Sequence, residues 1–130
     1  MTESRVVIVT GGSRGLGAGI VQSYLDSGDR VATCARSRTD EIARWETEAP
    51  DRFLFQEVDL ADRAACAGFV KAVAERWGGV QVLVNNAGVA RDGVIALADD
   101  DDVDTVVDLN LKGTLQMTKL VVRRLSLIHI

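Results

Sequence analysis

The 130-residue sequence predicts an α/β fold, in which a doubly wound parallel sheet carries helices on both faces. Short, valine-rich apolar segments alternate with helix-like segments, and no long linker, repeat or low-complexity stretch separates them. Continuous apolar runs are typical of strands that are buried on both faces of a parallel sheet. Successive βα units with right-handed crossovers build this architecture.

The element boundaries follow from apolar periodicity and from turn residues. The predicted strands are Arg5–Thr10, Arg30–Ala35, Arg52–Val58 and Val80–Asn85. The predicted helices are Leu16–Ser27, Thr39–Glu48, Arg63–Trp77 and Asp101–Leu125. Gly28 and the pair Gly78-Gly79 stand where helix ends favour left-handed residues, and Asp62 is a candidate N-cap. In the last helix, Leu115, Leu120 and Val121 are candidate core positions.

Composition excludes several classes of function. The net charge of −4 and the isoelectric point of about 4.9 argue against a nucleic-acid partner. No segment has the pattern of a signal peptide or the length of a membrane span, so we expect a single cytoplasmic domain without a membrane partner. Cys34 and Cys66 form no C-x-x-C motif and are predicted to be buried thiols. No ligand cluster suggests a metal.

The segment Thr10–Gly17, T-G-G-S-R-G-L-G, follows the first strand and opens the first helix. A glycine-rich turn at a helix N-terminus can hold the pyrophosphate of a dinucleotide, which predicts a Rossmann-type domain. Gly11 would turn the chain, Gly15 would admit the phosphates, and Gly17 would let the helix pack closely. Alone, this motif is equally compatible with an ordinary strand-to-helix turn.

The loops after the other strands add candidate ligand contacts. The second strand lacks the terminal acid that binds a ribose 2′-hydroxyl, since Arg36 stands there and Arg14 lies in the glycine loop. Two guanidinium groups favour a 2′-phosphate and hence NADP, unless both are solvated surface residues. Asp59 could accept from an adenine amino group or cap a helix. The Asn85–Gly88 turn could line the cofactor or be structural.

Taken together, these motifs resemble the short-chain dehydrogenase/reductase family. T-G-G-S-R-G-L-G (10–17), Asp59, N-N-A-G (85–88) and N-L-K-G (110–113) follow the order found in that family. The resemblance covers about residues 5–124. The segment A-G-V-A-R-D-G (87–93) resembles the 3-oxoacyl-[acyl-carrier-protein] reductases in particular, which would imply a role in fatty acid biosynthesis.

The resemblance implies roles by position. The loop residues would hold the pyrophosphate and the adenosine ribose; they are Gly11, Gly12, Ser13, Arg14, Gly15 and Leu16. Arg36 would contact the 2′-phosphate of NADP(H), and Asp59 and Leu60 would border the adenine. The nicotinamide half would lie along Asn86, Ala87 and Gly88. Asn110 matches a catalytic asparagine that sits at a helix distortion and holds a water of the proton relay.

The family chemistry also needs a serine and a Tyr-x-x-x-Lys motif further along than this sequence reaches. The only tyrosine, Tyr24, lies in the first helix and is predicted to pack it against the sheet. The sheet would therefore be truncated after the fourth βα unit. With its later strands missing, the chain should be poorly soluble or partly molten.

The last six residues, Leu-Ser-Leu-Ile-His-Ile (125–130), form a distinct segment. They are either the apolar start of a further strand or a non-native tail. The transposase mosaic end of sequencing libraries, CTGTCTCTTATACACATC, translates in one frame to this hexapeptide. We therefore expect residues 1–124 to be an incomplete dinucleotide-binding domain and 125–130 to be foreign.

Three functions are compatible with the sequence. The first is the cofactor half of an NADPH-dependent carbonyl reductase that acts on a 3-oxoacyl thioester, free or carried by an acyl carrier. The resemblance implies that such a parent is a homodimer or homotetramer. The second is a non-catalytic dinucleotide-binding module. The third is a reductase of sugars, steroids or polyketides.

Overall fold

The computed structural model describes residues 4–88 and 99–129. It contains four strands, β1 (Val6–Thr10), β2 (Arg30–Ala35), β3 (Phe53–Glu57) and β4 (Val82–Val84). It also contains five α-helices, α1 (Gly15–Asp26), α2 (Asp40–Glu48), α3 (Arg63–Trp77), α4 (Asp100–Val106) and α5 (Gly113–His129). A π-helical segment, Val107–Lys112, joins α4 to α5.

The strands form one parallel sheet in the order β3-β2-β1-β4. The chain winds outward from β1 to β3 and then crosses to the other side of β1. This reversal confirms the predicted doubly wound sheet and places a crevice where β1 and β4 part.

Alternate residues of β1 point into two separate cores. Val6 and Ile8 pack with α3 and α5, whereas Val7 and Val9 pack with α1 and α2. All four side chains are almost fully buried. Because helices cover both faces of the sheet, the central strand β1 is apolar from Val6 to Val9, as its sequence predicts.

Helix ends and core packing confirm several predictions. Asp62 caps α3 by accepting a hydrogen bond from Ala65 N at 3.1 Å, and Gly28 and Gly78 have φ values of +86° and +84°. Tyr24 packs against the core beneath α1 and α2, where Arg5 also lies over its ring. In the described part of the chain, no helix is long and apolar enough to span a membrane.

The last helical region differs from its prediction. The expected single helix Asp101–Leu125 is interrupted by the π-helical segment, and α5 runs on to His129, so a strand does not begin at residue 125. Leu115 is wrong as a core residue, since it is 60% exposed. Val121 is buried and Leu120 is partly buried against the same core, as predicted. Met117 takes the place of Leu115, because it lies four residues before Val121 on the same helix face and Leu115 lies off that face.

Candidate functional site

A cleft of about 460 Å³ opens at the carboxyl ends of the strands. Its lining comes from the loops after all four strands, as expected at a topological switch point. The lining residues are Gly11, Ser13, Arg14, Cys34, Ala35, Arg36, Ser37, Val58, Leu60, Asn86, Ala87 and Gly88.

Most of the predicted cofactor-binding residues meet in this cleft, but five do not line it. Gly12 and Gly17 are buried beneath the loop, and Gly15 and Leu16 are exposed at the start of α1. Asp59 is exposed, and its Oδ1 accepts a hydrogen bond from Ala61 N at 3.0 Å. The predicted role of Asp59 beside an adenine stays a prediction.

The chain turns at Gly11, where φ is +70°. Its N–H donates to Cys34 O at 2.8 Å, which ties the turn to β2. A Cβ at this position would lie 2.9 Å from Ala87 Cα. Only glycine allows both this backbone conformation and the close approach of the turn after β4.

The helix that follows the loop leaves its first N–H groups without helical partners. The first α-helical hydrogen bond of α1 runs from Ala18 N to Arg14 O, at 3.2 Å. Gly15, with φ at +59°, has open space where a Cβ would stand. Unpaired N–H groups and the helix dipole at an open glycine form a cradle that suits a phosphate anion.

The turn after β4 is held by Thr10 and Gly11. Thr10 Oγ1 accepts hydrogen bonds from Asn86 N and Ala87 N, each at 3.0 Å. Asn86 Nδ2 donates to Gly11 O at 3.1 Å, and Asn85 Nδ2 donates to Thr118 Oγ1 at 3.0 Å. The Asn86 side chain therefore ties this turn to the glycine loop and the Asn85 side chain ties it to α5, while Asn86, Ala87 and Gly88 line the cleft.

Positive charge dominates the rim of the cleft beyond β2. Arg14 Nη2 donates to Ser37 Oγ at 3.3 Å, a neutral partner that leaves its charge unbalanced. Arg36 is exposed and has no hydrogen bond or ion pair with any residue of the described ranges. Arg38, by contrast, pairs with Glu46 and lies over the ring of Phe55, 5.4 Å from its centroid.

Asn110 lies in the π-helical segment, so the local helix distortion implied by the family resemblance is present. A Cβ added to Gly88 would stand 2.9 Å from Asn110 Oδ1. The side chain of Asn110 therefore reaches the end of the turn after β4, beside the cleft. Its catalytic role stays a prediction.

Four lining residues were missed by sequence reasoning: Cys34, Ala35, Ser37 and Val58. Ala35, Ser37 and Val58 are each adjacent to a predicted contact, and Cys34 lies two residues before Arg36. Parallel strands that end at one edge of a sheet bring such neighbours together. Cys34 and Cys66 are buried free thiols, as predicted. Burial raises the pKa of Cys34 to about 12, which makes it an unreactive wall of the cleft.

Part of the predicted 87–93 segment lies outside the described residues, which resume at Asp99. Among the residues with described positions, no group of three or more metal-binding side chains gathers.

Comparison with known proteins identifies the family. The family model for short chain dehydrogenase matches residues 5–127. The acetoacetyl-CoA reductase of Paracoccus denitrificans is 38% identical over 115 residues, which cover 88% of this chain and 47% of that protein. The 3-oxoacyl-[acyl-carrier-protein] reductase FabG of Thermotoga maritima is 28% identical over 122 residues, which cover 92% of this chain and 50% of that protein.

Solved structures agree with this assignment. An actinorhodin polyketide ketoreductase with NADPH has a TM-score of 0.84 and 33% identity, over 93% of this chain and 47% of that one. An NADH-dependent reductase complexed with NAD has a TM-score of 0.85 and 28% identity, and the match covers 95% of this chain and 52% of that one. The chain thus spans about half the length of each of these four proteins. It belongs to the short-chain dehydrogenase family of oxidoreductases, and the two solved relatives named above contain NADPH and NAD.

Proposed function

We propose that this chain is the cofactor-binding half of an NADPH-dependent carbonyl reductase. The distribution of charge in the cleft carries the proposal. Arg14 and Arg36 stand on its rim without an acidic partner, and the described lining contains no carboxylate. Guanidinium groups bind a phosphate through paired, charge-assisted hydrogen bonds, whereas a carboxylate at this place would repel it.

The remaining lining fits the other parts of the dinucleotide. In the proposal, the amides at the start of α1 hold the pyrophosphate, and Val58 and Leu60 form an apolar wall for the adenine. The backbone of Asn86–Gly88 faces the ribose beside the nicotinamide. When bound, the nicotinamide supplies a hydride to the carbonyl carbon of a substrate.

The test of cofactor choice compares NADPH and NADH binding in the wild type and in Arg36→Gln. Loss of one hydrogen bond to a charged group costs about 1.5–3 kcal/mol, which corresponds to roughly a 10- to 100-fold loss of NADPH affinity. NADH affinity should change by less than about twofold, because NADH lacks the 2′-phosphate that the guanidinium would contact. Arg38→Gln is the matched control, since Arg38 is engaged by Glu46 and Phe55. A wild type that prefers NADH, or an Arg36→Gln variant with unchanged preference, overturns the NADPH assignment.

We propose that the longer parent protein reduces a 3-oxoacyl thioester, or a related ketone, to a secondary alcohol. The names of the acetoacetyl-CoA reductase, FabG and polyketide ketoreductase relatives support this substrate class. Asn110 would hold a proton-relay water, and the chain by itself would be inactive. Reading the native gene beyond the codon for Arg124 tests the proposal. A serine followed by Tyr-x-x-x-Lys supports a reductase, and a gene that ends as written supports a non-catalytic binding module.

We further propose that the parent is cytoplasmic and assembles as a homodimer or homotetramer. Large apolar side chains are exposed along α4, the π-helical segment and α5; they are Val103, Val107, Leu111, Leu115 and Val122. Several large exposed apolar side chains along consecutive helical segments are what a subunit interface would cover. Sedimentation of the parent and of its Leu111→Lys variant tests assembly, with a shift of the variant toward monomer expected. A monomeric parent contradicts it.

A further inference from the structure

Two threonines outside the glycine motif contact the glycine loop through their hydroxyls. Thr33, in the middle of β2, is fully buried. Its Oγ1 donates to Val9 O at 2.5 Å and accepts from Gly12 N at 3.0 Å. This one hydroxyl therefore links β1, β2 and the loop. It accepts the single hydrogen bond that the backbone N–H of Gly12 can donate.

Thr39 makes a second link from the other side. Its Oγ1 donates to Ser13 O at 2.7 Å and also caps α2 by accepting from Ile42 N at 3.5 Å. Thr39 ends the segment that carries Arg36 and Ser37. The glycine loop is thus tied directly to the stretch of chain that bears the proposed 2′-phosphate contact.

Together with the bond from Gly11 N to Cys34 O, these contacts anchor three successive loop residues to β2 or to the segment after it. The N–H groups of Gly11 and Gly12 already donate in these hydrogen bonds and are not free to bind a ligand. Anion binding must therefore fall to the amides beyond Gly12, whose directions depend on how the anchored part is held.

We propose that Thr33 and Thr39 are positioning residues that hold the glycine loop in its phosphate-binding shape. The inference rests on the proposed NADPH site. Thr33 holds the part of the loop that would contact either dinucleotide, so its loss should weaken the binding of NADPH and NADH equally. Thr39 couples the loop to the Arg36 segment, so it should influence NADPH more.

The experiment measures dissociation constants for NADPH and NADH in the 130-residue chain. Thr33→Val is nearly isosteric but leaves the buried Gly12 N–H unsatisfied, which should weaken both ligands by roughly 5- to 30-fold. Thr33→Ser restores the hydroxyl and should bind within about twofold of the wild type. Thr39→Val should lower the NADPH-to-NADH preference by at least about threefold, and Thr39→Ser should restore it.

Val73→Ala controls for loss of stability alone. Val73 is buried in α3 and packs in the core on the α3 and α5 side of the sheet, away from the loop. Its truncation should destabilise the chain without changing either dissociation constant. Hydrogen exchange of the Gly12 amide, without any dinucleotide, gives a second measurement; protection should fall at least about tenfold in Thr33→Val but not in Thr33→Ser.

The outcomes separate the two proposals. If the wild type binds NADPH and Thr33→Val binds it equally well, or Thr33→Ser is as weak as Thr33→Val, the positioning role is overturned and the proposed function stands. If the wild type binds neither dinucleotide, the proposed function fails and the positioning role fails with it. Should Thr33→Val not fold, the Thr39 pair decides, because Thr39 lies outside the sheet.

Discussion

Replacing Gly17 by alanine should destabilise the fold, whereas the same change at Gly19 should stabilise it. Both glycines lie in α1, two residues apart, and alanine gains about 0.5–1 kcal/mol over glycine in a helix interior. A Cβ at Gly19 meets open space, so that gain is realised. A Cβ at Gly17 would collide with Gly11 O and stand 2.5 Å from Asn86 Nδ2.

The cost at Gly17 follows from what must move. The Gly11 carbonyl belongs to a turn fixed by its bond to β2, and it accepts the Asn86 side-chain amide at 3.1 Å. Overpacking costs about 1–3 kcal/mol, and loss of the Asn86 hydrogen bond adds about 0.5–1.5 kcal/mol. After the helix gain is subtracted, Gly17→Ala should lose roughly 0.5–4 kcal/mol of unfolding free energy.

Urea denaturation, followed by the fluorescence of the two tryptophans, the buried Trp45 and the half-buried Trp77, measures both variants. Equal m-values are required, so that the midpoints report stability alone. If Gly17→Ala were as stable as Gly19→Ala, α1 would not approach the Gly11 turn as closely as described, and the glycine loop would not have the described geometry.

Two further predictions concern titratable groups. Burial by itself raises the pKa of Asp29. Hydrogen bonds from Arg5 N at 2.9 Å and from the Arg5 guanidinium at 3.1 Å together lower this pKa by more than burial raises it, so the net shift is downward. A depressed folded-state pKa contributes stability that is present above the unfolded value of about 3.9 and is lost as the pH falls through the folded value. Asp29→Asn should therefore be less stable than the wild type at neutral pH, and its free energy of unfolding should fall less steeply as the pH drops below about 4. Urea midpoints that change in parallel with pH in the two proteins would contradict this. Burial also raises the pKa of the Cys34 and Cys66 thiols, so both should react with a disulfide reagent at neutral pH only as fast as the chain opens; rapid labelling of the folded chain would show that the thiols are accessible.

The sequence was sufficient to predict the strands, their parallel winding and most of the cleft. These features depend on local signals, namely apolar runs, turn glycines at positive φ and the cap at Asp62. In a parallel sheet such signals fix which loops meet. The positions of Arg36 and of the Asn86–Gly88 turn were therefore predictable without coordinates.

What the sequence could not predict depends on side chains that are distant along the chain. Thr33 looks like any β-branched strand residue, and its bond to the Gly12 amide appears only when β1 and β2 are paired. The π-helical segment around Asn110 breaks the period on which helix prediction relies. The sequence does not show which face of α5 packs against α3, and Leu115 was therefore wrongly predicted to lie in the core.

We propose above that the cleft at the carboxyl ends of β1 and β2 binds NADPH through the glycine loop and Arg36. Amide chemical-shift changes on titration with NADPH, compared with those on titration with NADH, test it most directly. Shifts are expected at Ser13–Leu16 with both ligands, and the difference between the ligands should be concentrated at Arg36 and Ser37. Shifts located elsewhere, or identical patterns for the two dinucleotides, would contradict it.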